Sequence, residues 1–423
     1  MQTRLSKEFQ GSADGEAAQA ILRKCVHCGF CNATCPTYQL LGDELDGPRG
    51  RIYLIKQVLE GGDVTRSTQQ HLDRCLTCLN CQTTCPSGVE YGHLVDIGRK
   101  IVDARVPRPA PERTLRWLLK EGLTSPLFAP ALRLGRALRP LLPGALQKYV
   151  PLLTGDRRPS SPAAAAAAAV PAHRRQLLLL QGCVQPSMMP NIDRAAVRVF
   201  AAAGIRVVPA AAGGCCGALR THLGDHEGGL AHMRRNIDAW MPIIDAGEVE
   251  AVVASASACS LAVKEYGHAL SGDPAYAGKA ARISALARDL SEFLPDLVPV
   301  LNDKLRRDGR RRVALHSPCT LQHGQRLRGG IETHLRALGF EVEVAGESHF
   351  CCGSAGAYSV LQPELALQLR DRKLGFLAQL EPQVIVSANM GCIQHLQSGT
   401  RTPVKHWVEV LDEALGLEQP RPA

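Results

Sequence analysis

Two runs of cysteine dominate the chemistry open to this sequence. One reads Cys25-Val-His-Cys28-Gly-Phe-Cys31-Asn-Ala-Thr-Cys35-Pro36 and the other Cys75-Leu-Thr-Cys78-Leu-Asn-Cys81-Gln-Thr-Thr-Cys85-Pro86, the same spacing repeated at an offset of 50 residues. Three thiolates in so tight a loop can cap three irons of a cube, and the fourth must arrive from elsewhere. In this C-x2-C-x2-C-x3-C-P spacing the fourth cysteine of each run serves the other cluster. The pattern therefore assigns Cys25, Cys28, Cys31 and Cys85 to one [4Fe–4S] cluster, and Cys75, Cys78, Cys81 and Cys35 to a second. A zinc reading needs two C-x2-C pairs and leaves cysteines over. Crossed ligation forces the clusters close together, which suits stepwise electron transfer. Arg23, Lys24, Arg49, Arg51, Lys56 and Arg74 flank the runs, where they would offset cluster charge. His27 lies between two ligands and reads as an accessory residue, because the thiol set is already complete.

The other eight of the 16 cysteines form two matched quartets. Cys183, Cys215-Cys216-Gly217 and Cys259 are echoed by Cys319, Cys351-Cys352-Gly353 and Cys392, with a first gap of 32 residues in both copies. These eight are candidate ligands of a further metal or cluster, with a redox dithiol or a structural role as alternatives. His316, His349 and His395 lie near the second quartet, and Ala262 stands where a counterpart of His395 would be. If only one quartet binds metal, the second is the better candidate.

Elements must position these groups. Apolar spacing predicts helices at 16–24, 51–60 and about 92–104, so an α-helical two-cluster domain is expected over 1–105. Residues 106–172 read as a Pro- and Ala-rich connector. Prolines at 107, 109, 111, 126, 130, 140, 143 and 151 are expected to break it into short pieces, and Ser160-Ser161-Pro162 with seven alanines reads as a linker. Between Pro126 and Leu153 every charge is basic (Arg133, Arg136, Arg139, Lys148). Such a segment can rest on an anionic membrane, although a connector packed on the protein is the preferred reading. Short apolar runs at 177–180, 205–208 and 249–254, matched by 313–315, 342–344 and 384–387, alternate with helical stretches. This predicts parallel βαβ units in two pseudo-symmetric α/β lobes, 173–300 and 301–423, with each cysteine at the carboxyl end of a strand. The fold class is thus α+β multidomain.

Composition agrees with a globular chain. The 423 residues are 45% hydrophobic and 21% charged with a net charge of +9, and only 4% are aromatic. The N-terminus has no apolar run after its basic residues, and no stretch has the 18 consecutive apolar residues of a membrane helix. A cytoplasmic chain is expected, peripheral at most on the inner face of the cell membrane, and in that reducing compartment cysteine serves metals rather than disulfides.

Two ferredoxin-type motifs followed by duplicated Cys-Cys-Gly domains resemble the iron–sulfur subunits of flavin-linked 2-hydroxyacid and glycerol-phosphate dehydrogenases and of heterodisulfide reductases. The run from Cys25 through Arg51-Ile-Tyr-Leu-Ile-Lys56 is most similar to the glycolate oxidase iron–sulfur subunits. The resemblance spans nearly the whole chain, with the alanine linker as the main departure. It implies an electron-transfer subunit of an oxidoreductase complex whose FAD-binding subunits oxidise glycolate to glyoxylate, with electrons leaving through the two clusters to a quinone or other acceptor. Lactate or glycerol 3-phosphate as the donor, or thiol chemistry as in heterodisulfide reductases, are the alternatives. Neither quartet keeps the terminal C-x2-C pair of those reductases, which counts against the last.

The residues support the same division of labour. There is no G-x-G-x-x-G after a strand and no P-loop. Without a flavin or nicotinamide site, hydride removal has no agent on this chain, so no catalytic residue is assigned. The basic residues are dispersed and no aromatic-rich binding motif accompanies them, which argues against a nucleic-acid partner.

Overall fold

The fold is that of a computed structural model, which describes residues 1–139, 175–210, 212–306 and 311–417. The lysine and prolines beyond residue 139 in the basic stretch, and the alanine run, lie outside the described residues.

The first hundred residues are helical. α1 (Ala13–Lys24) starts at Ser12, whose Oγ accepts from the Gly15 N–H at 3.1 Å, and carries Asp14 and Glu16 in its first turn and Arg23 and Lys24 in its last. Both ends therefore complement the helix dipole. The short α2 (Phe30–Ala33) and α3 (Pro36–Leu41) sit on the first cysteine run, and α4 (Pro48–Leu59) begins with proline in its first turn. α5 (Arg66–Asp73), α6 (Asn80–Thr84) and α7 (Tyr91–Arg105) repeat the arrangement around the second run. Leu22, Ile55, Leu59, Leu72, Leu94 and Val95 close one core between α1, α4, α5 and α7.

Two further helices, α8 (Ala110–Thr124) and α9 (Phe128–Leu138), correct the expectation of a broken connector. Pro111 and Pro130 fall in the first turns, where the missing N–H has no intrahelical partner to lose, so these prolines start helices rather than interrupt them. Arg108 ties this stretch to the helical domain through Asp73 at 2.6 Å, and Arg136 donates to the Ser187 carbonyl at 3.1 Å.

Each lobe carries a four-stranded, wholly parallel sheet. β1 (Gln176–Leu180), β2 (Arg206–Pro209), β3 (Ala251–Ala254) and β4 (Ala287–Asp289) are ordered 2-1-3-4. β5 (Arg312–Leu315), β6 (Glu341–Val344), β7 (Val384–Ser387) and β8 (Val404–His406) are ordered 6-5-7-8. β3 and β7 are buried along their full length, as expected for strands covered on both faces. The chain direction across the sheet reverses between β1 and β3, and again between β5 and β7. Open α/β sheets place their ligands at such switch points.

The lobes are not independent beads. Phe200, Val207, Leu294 and Leu297 of the first share one continuous core with Val313, Leu338, Trp407 and Leu411 of the second. Arg198 pairs with the buried Asp412 across the junction, its Nε 2.9 Å from Oδ1.

Candidate metal centres and their thiol neighbours

The first cysteine run winds around a cavity. Cys25, Cys28, Cys31 and Cys85 line it together with Cys81, Val26, Phe30, Ile52 and Val89. A second cavity is lined by Cys35, Cys75, Cys78 and Cys81 with Pro36, Thr37, Arg51 and Leu76. Five cysteines line the first cavity and four the second, a donor set larger than a single small ion needs. Pro48, Cys81 and Tyr91 line both cavities, so a single layer of side chains separates them.

Backbone conformation aims the thiols. His27 and Thr77 have φ of 60° and 51°, and two residues on, Gly29 and Leu79 have φ of 88° and 61°. Both loops thus use left-handed residues at the same two positions, and each three-cysteine turn curls around its cavity. Non-glycine residues in this region are uncommon and carry strain, a cost kept only where surrounding structure enforces it.

The thiol environment is one that a metal would have to deprotonate. Burial pushes Cys31 up to about 12, helped by the nearby Cys25, and raises Cys25, Cys35 and Cys81 as well. A bound metal supplies the positive charge that reverses this. Tyr91 Oη donates to Cys75 Sγ at 3.6 Å, and the Thr77 N–H lies 3.4 Å from the same sulfur. The donor set and the hydrogen bonds suit thiolate-ligated iron–sulfur clusters.

The basic residues divide. Arg51 is fully buried beside the second cavity. Its Nε donates to the His71 carbonyl at 2.7 Å and its NH2 to Thr37 at 3.1 Å and Asp46 at 3.4 Å. Arg74 also reaches Asp46, at 2.8 Å. Lys24, Arg49 and Lys56 pair with Glu90, Glu44 and Glu60 nearer the surface, so they offset cluster charge less than their position in the sequence suggests. The buried Asp46, which ties Arg51, His71 and Arg74 together, carried no sequence signal of its own.

The two runs differ in what covers them. Leu76 of the second is packed against Cys319, Cys351 and Tyr358 of the second lobe, and Cys78 joins that cluster. Asn80 donates to the His349 carbonyl at 3.0 Å, and Tyr358 Oη to the Arg74 carbonyl at 3.1 Å. His323 donates through Nε2 to the His349 carbonyl at 2.9 Å, which leaves Nδ1 to accept from Thr83 Oγ1 at 2.8 Å. In the first run the matching residues are bare. Val26 is 69% and Phe30 63% exposed, and Cys28 is the one exposed cysteine of the 16.

In each lobe the four thiols interact as neighbours in the same order. Cys183 contacts Cys215, Cys215 contacts Cys216, and Cys216 contacts Cys259. The neighbouring thiols of Cys183 and then Cys216 lower the Cys215 thiol. The second lobe repeats the chain from Cys319 through Cys351 and Cys352 to Cys392, and extends it at the near end to Cys78. Gly217 and Gly353 explain the third letter of the motif. Their φ values are 93° and 91°, and a Cβ would meet the Gly229 carbonyl oxygen at 2.8 Å or that of Ala366 at 2.5 Å.

Of the histidines, His395 is not with the thiols; its Nε2 lies 3.1 Å from the Ala366 carbonyl. His349 lies against the Phe350 ring, and His27 is exposed, its Nε2 3.4 Å from the Arg49 carbonyl. His316 is different. Its Nδ1 lies 3.0 Å from Ser387 Oγ, its Nε2 has no hydrogen-bond partner, and the residue is only 2% exposed. Burial, with the Lys373 charge, lowers it to about 3, so the ring is neutral. An orphaned buried nitrogen costs about 1–3 kcal/mol.

The 4Fe-4S dicluster domain family matches residues 21–89, and the cysteine-rich domain family matches residues 177–264 and 313–397. The chain is also 51% identical over 419 residues to the glycolate oxidase iron–sulfur subunit of Escherichia coli (strain K12), covering 99% of this chain and 100% of that one. This chain belongs to the glycolate oxidase iron–sulfur subunit family. The probable glycolate oxidase iron–sulfur subunit of Bacillus subtilis (strain 168) is 28% identical over 97% of this chain and 98% of its own. Lactate utilization protein A of Geobacillus kaustophilus is 27% identical, over 54% of this chain and 95% of that protein. The family assignment and the fold agree, with a dicluster helical domain followed by duplicated α/β lobes.

Proposed function

We propose that this chain is the iron–sulfur electron-transfer subunit of an oxidoreductase complex in which a partner subunit carrying FAD oxidises glycolate to glyoxylate. The observation that carries the reading is end-to-end similarity to a glycolate oxidase iron–sulfur subunit, together with two thiol-lined cavities that share a wall. When bound, two [4Fe–4S] clusters supply one-electron steps between a flavin that takes two electrons and an acceptor. Cys25, Cys28, Cys31 and Cys85 hold one cluster; Cys75, Cys78, Cys81 and Cys35 hold the other. Arg51 fixes the second loop from behind, Tyr91 and the Thr77 N–H direct hydrogen-bond donors at Cys75, and the second lobe covers the second site. The exposed Cys28 edge is where a redox partner approaches.

The acceptor is a quinone, reached from the cytoplasmic face of the membrane. No described helix is long and apolar enough to cross a membrane, so this part of the reading needs a peripheral surface. α8 and α9 offer one. Leu115, Trp117, Leu118, Leu134 and Leu138 are exposed on them and Leu127 between them, with Arg113 and Arg133 on the same helices.

The partial match to a lactate utilization protein favours lactate as the second reading. The test is to purify the complex anaerobically through a tag on this chain and add candidate donors. Glycolate should reduce the clusters, seen by electron paramagnetic resonance, while lactate and glycerol 3-phosphate leave them oxidised. Reduction by lactate but not glycolate would overturn the glycolate assignment.

A further inference from the structure

We infer that the second lobe holds a zinc ion, bound by His316 Nε2 and the thiolates of Cys352 and Cys392. A ring nitrogen of His316 and the sulfurs of Cys352 and Cys392 lie within 4.8 Å of one another, and all three residues are buried. Among the described residues, the eight cysteines of the helical domain form no group that tight. They surround cavities, whereas these three converge on a point, and convergence on a point suits one ion.

Three elements bring the ligands together at the switch point of the sheet. His316 directly follows β5, Cys392 sits in the first turn of the helix Met390–Gln397 that follows β7, and Cys352 comes from the Cys-Cys-Gly loop. The surroundings already orient them. Ser387 Oγ engages His316 Nδ1, which leaves the orphaned Nε2 as the nitrogen open to a ligand role, and a ligating imidazole ordinarily has its second nitrogen held in this way. Asn389 Nδ2 donates to Cys392 Sγ at 3.5 Å. Two thiolates balance a divalent ion, and one imidazole with two thiolates matches the borderline-soft preference of zinc. Cys351, in contact with Cys352, is the neighbouring thiol available to a fourth position.

The first lobe is the internal control. The 136-residue offset between Cys183 and Cys319 sets Leu180 opposite His316, so that lobe has the thiols without the imidazole.

The test uses the full chain purified anaerobically, with zinc and iron measured together by mass spectrometry. About one zinc per chain is expected. His316→Leu and Cys392→Ser should each reduce zinc at least tenfold with iron unchanged, while Cys259→Ser in the first lobe should leave zinc at the wild-type level. Zinc-edge X-ray absorption on the wild type should show sulfur at about 2.3 Å and nitrogen at about 2.0 Å. Because His316→Leu could disturb packing, circular dichroism accompanies it and Cys352→Ala is the second probe. Fewer than 0.1 zinc per chain after equimolar zinc and a weak chelator would overturn the inference. So would zinc retained in all three lobe variants, or iron rather than zinc lost with His316. Iron content and glycolate-dependent reduction, measured alongside, separate failure here from failure of the proposed function.

Discussion

A single buried carboxyl shows how strongly this interior perturbs its residues. Asp193 accepts from Gln185 Nε2 at 2.6 Å and Ser255 Oγ at 2.7 Å, yet its Oδ2 has no partner. Burial raises it from 3.8 to about 7. Between those values the folded chain binds the proton and the unfolded chain does not, so stability falls as pH rises through the window, by at most about 1.4 kcal/mol per unit. Asp193→Asn should remove this component. Thermal midpoints of the two proteins at pH 5.5 and 8.5 check it, and the variant should lose less on going to the higher pH. Unchanged pH dependence would show that Asp193 is not the source. None of this was legible in the sequence, where Asp193 is one acidic residue among many. The 16 cysteines were legible because their spacing is itself geometry. Asp46 and His316 were not, since their roles depend on partners 25 and 71 residues away.

At the scale of elements, the cysteine loops and the strand–helix alternation were readable because local periodicity encodes them. The three leading strands of each lobe fall within a residue or two of the apolar runs that predicted them. β4 and β8 went unpredicted for a physical reason: Ala-Arg-Asp and Val-Lys-His are three residues each and carry no apolar run. They are edge strands recruited by neighbours already in place. Pro111 and Pro130 break nothing because each occupies the first turn of a helix, a position that a count of prolines does not reveal. Crossed ligation is also a claim about elements, since α6 leads Cys85 away from its own loop. Cys85→Ser should therefore damage the cluster held by Cys25, Cys28 and Cys31 and leave the other reducible. Iron analysis with low-temperature paramagnetic resonance would show this, and loss of the Cys75 cluster instead would refute the crossing.

Across the whole molecule, the shared core makes the two lobes one cooperative body. Arg198→Ala should expose that coupling, because it removes one ion-pair partner of the buried Asp412 at their junction, a change worth at most about 3–5 kcal/mol. Calorimetry should show both lobes melting together at a lower temperature in the variant; two separated transitions would contradict a common core. The same unity gives the pair of cluster loops unequal lives. One is roofed by the second lobe, while the other keeps Val26, Phe30 and Cys28 open to solvent. Oxygen and chelators meet the open loop first, so ageing in air should begin at that end of the relay. A molecule half stripped of its iron would still look folded, yet would have lost its point of entry.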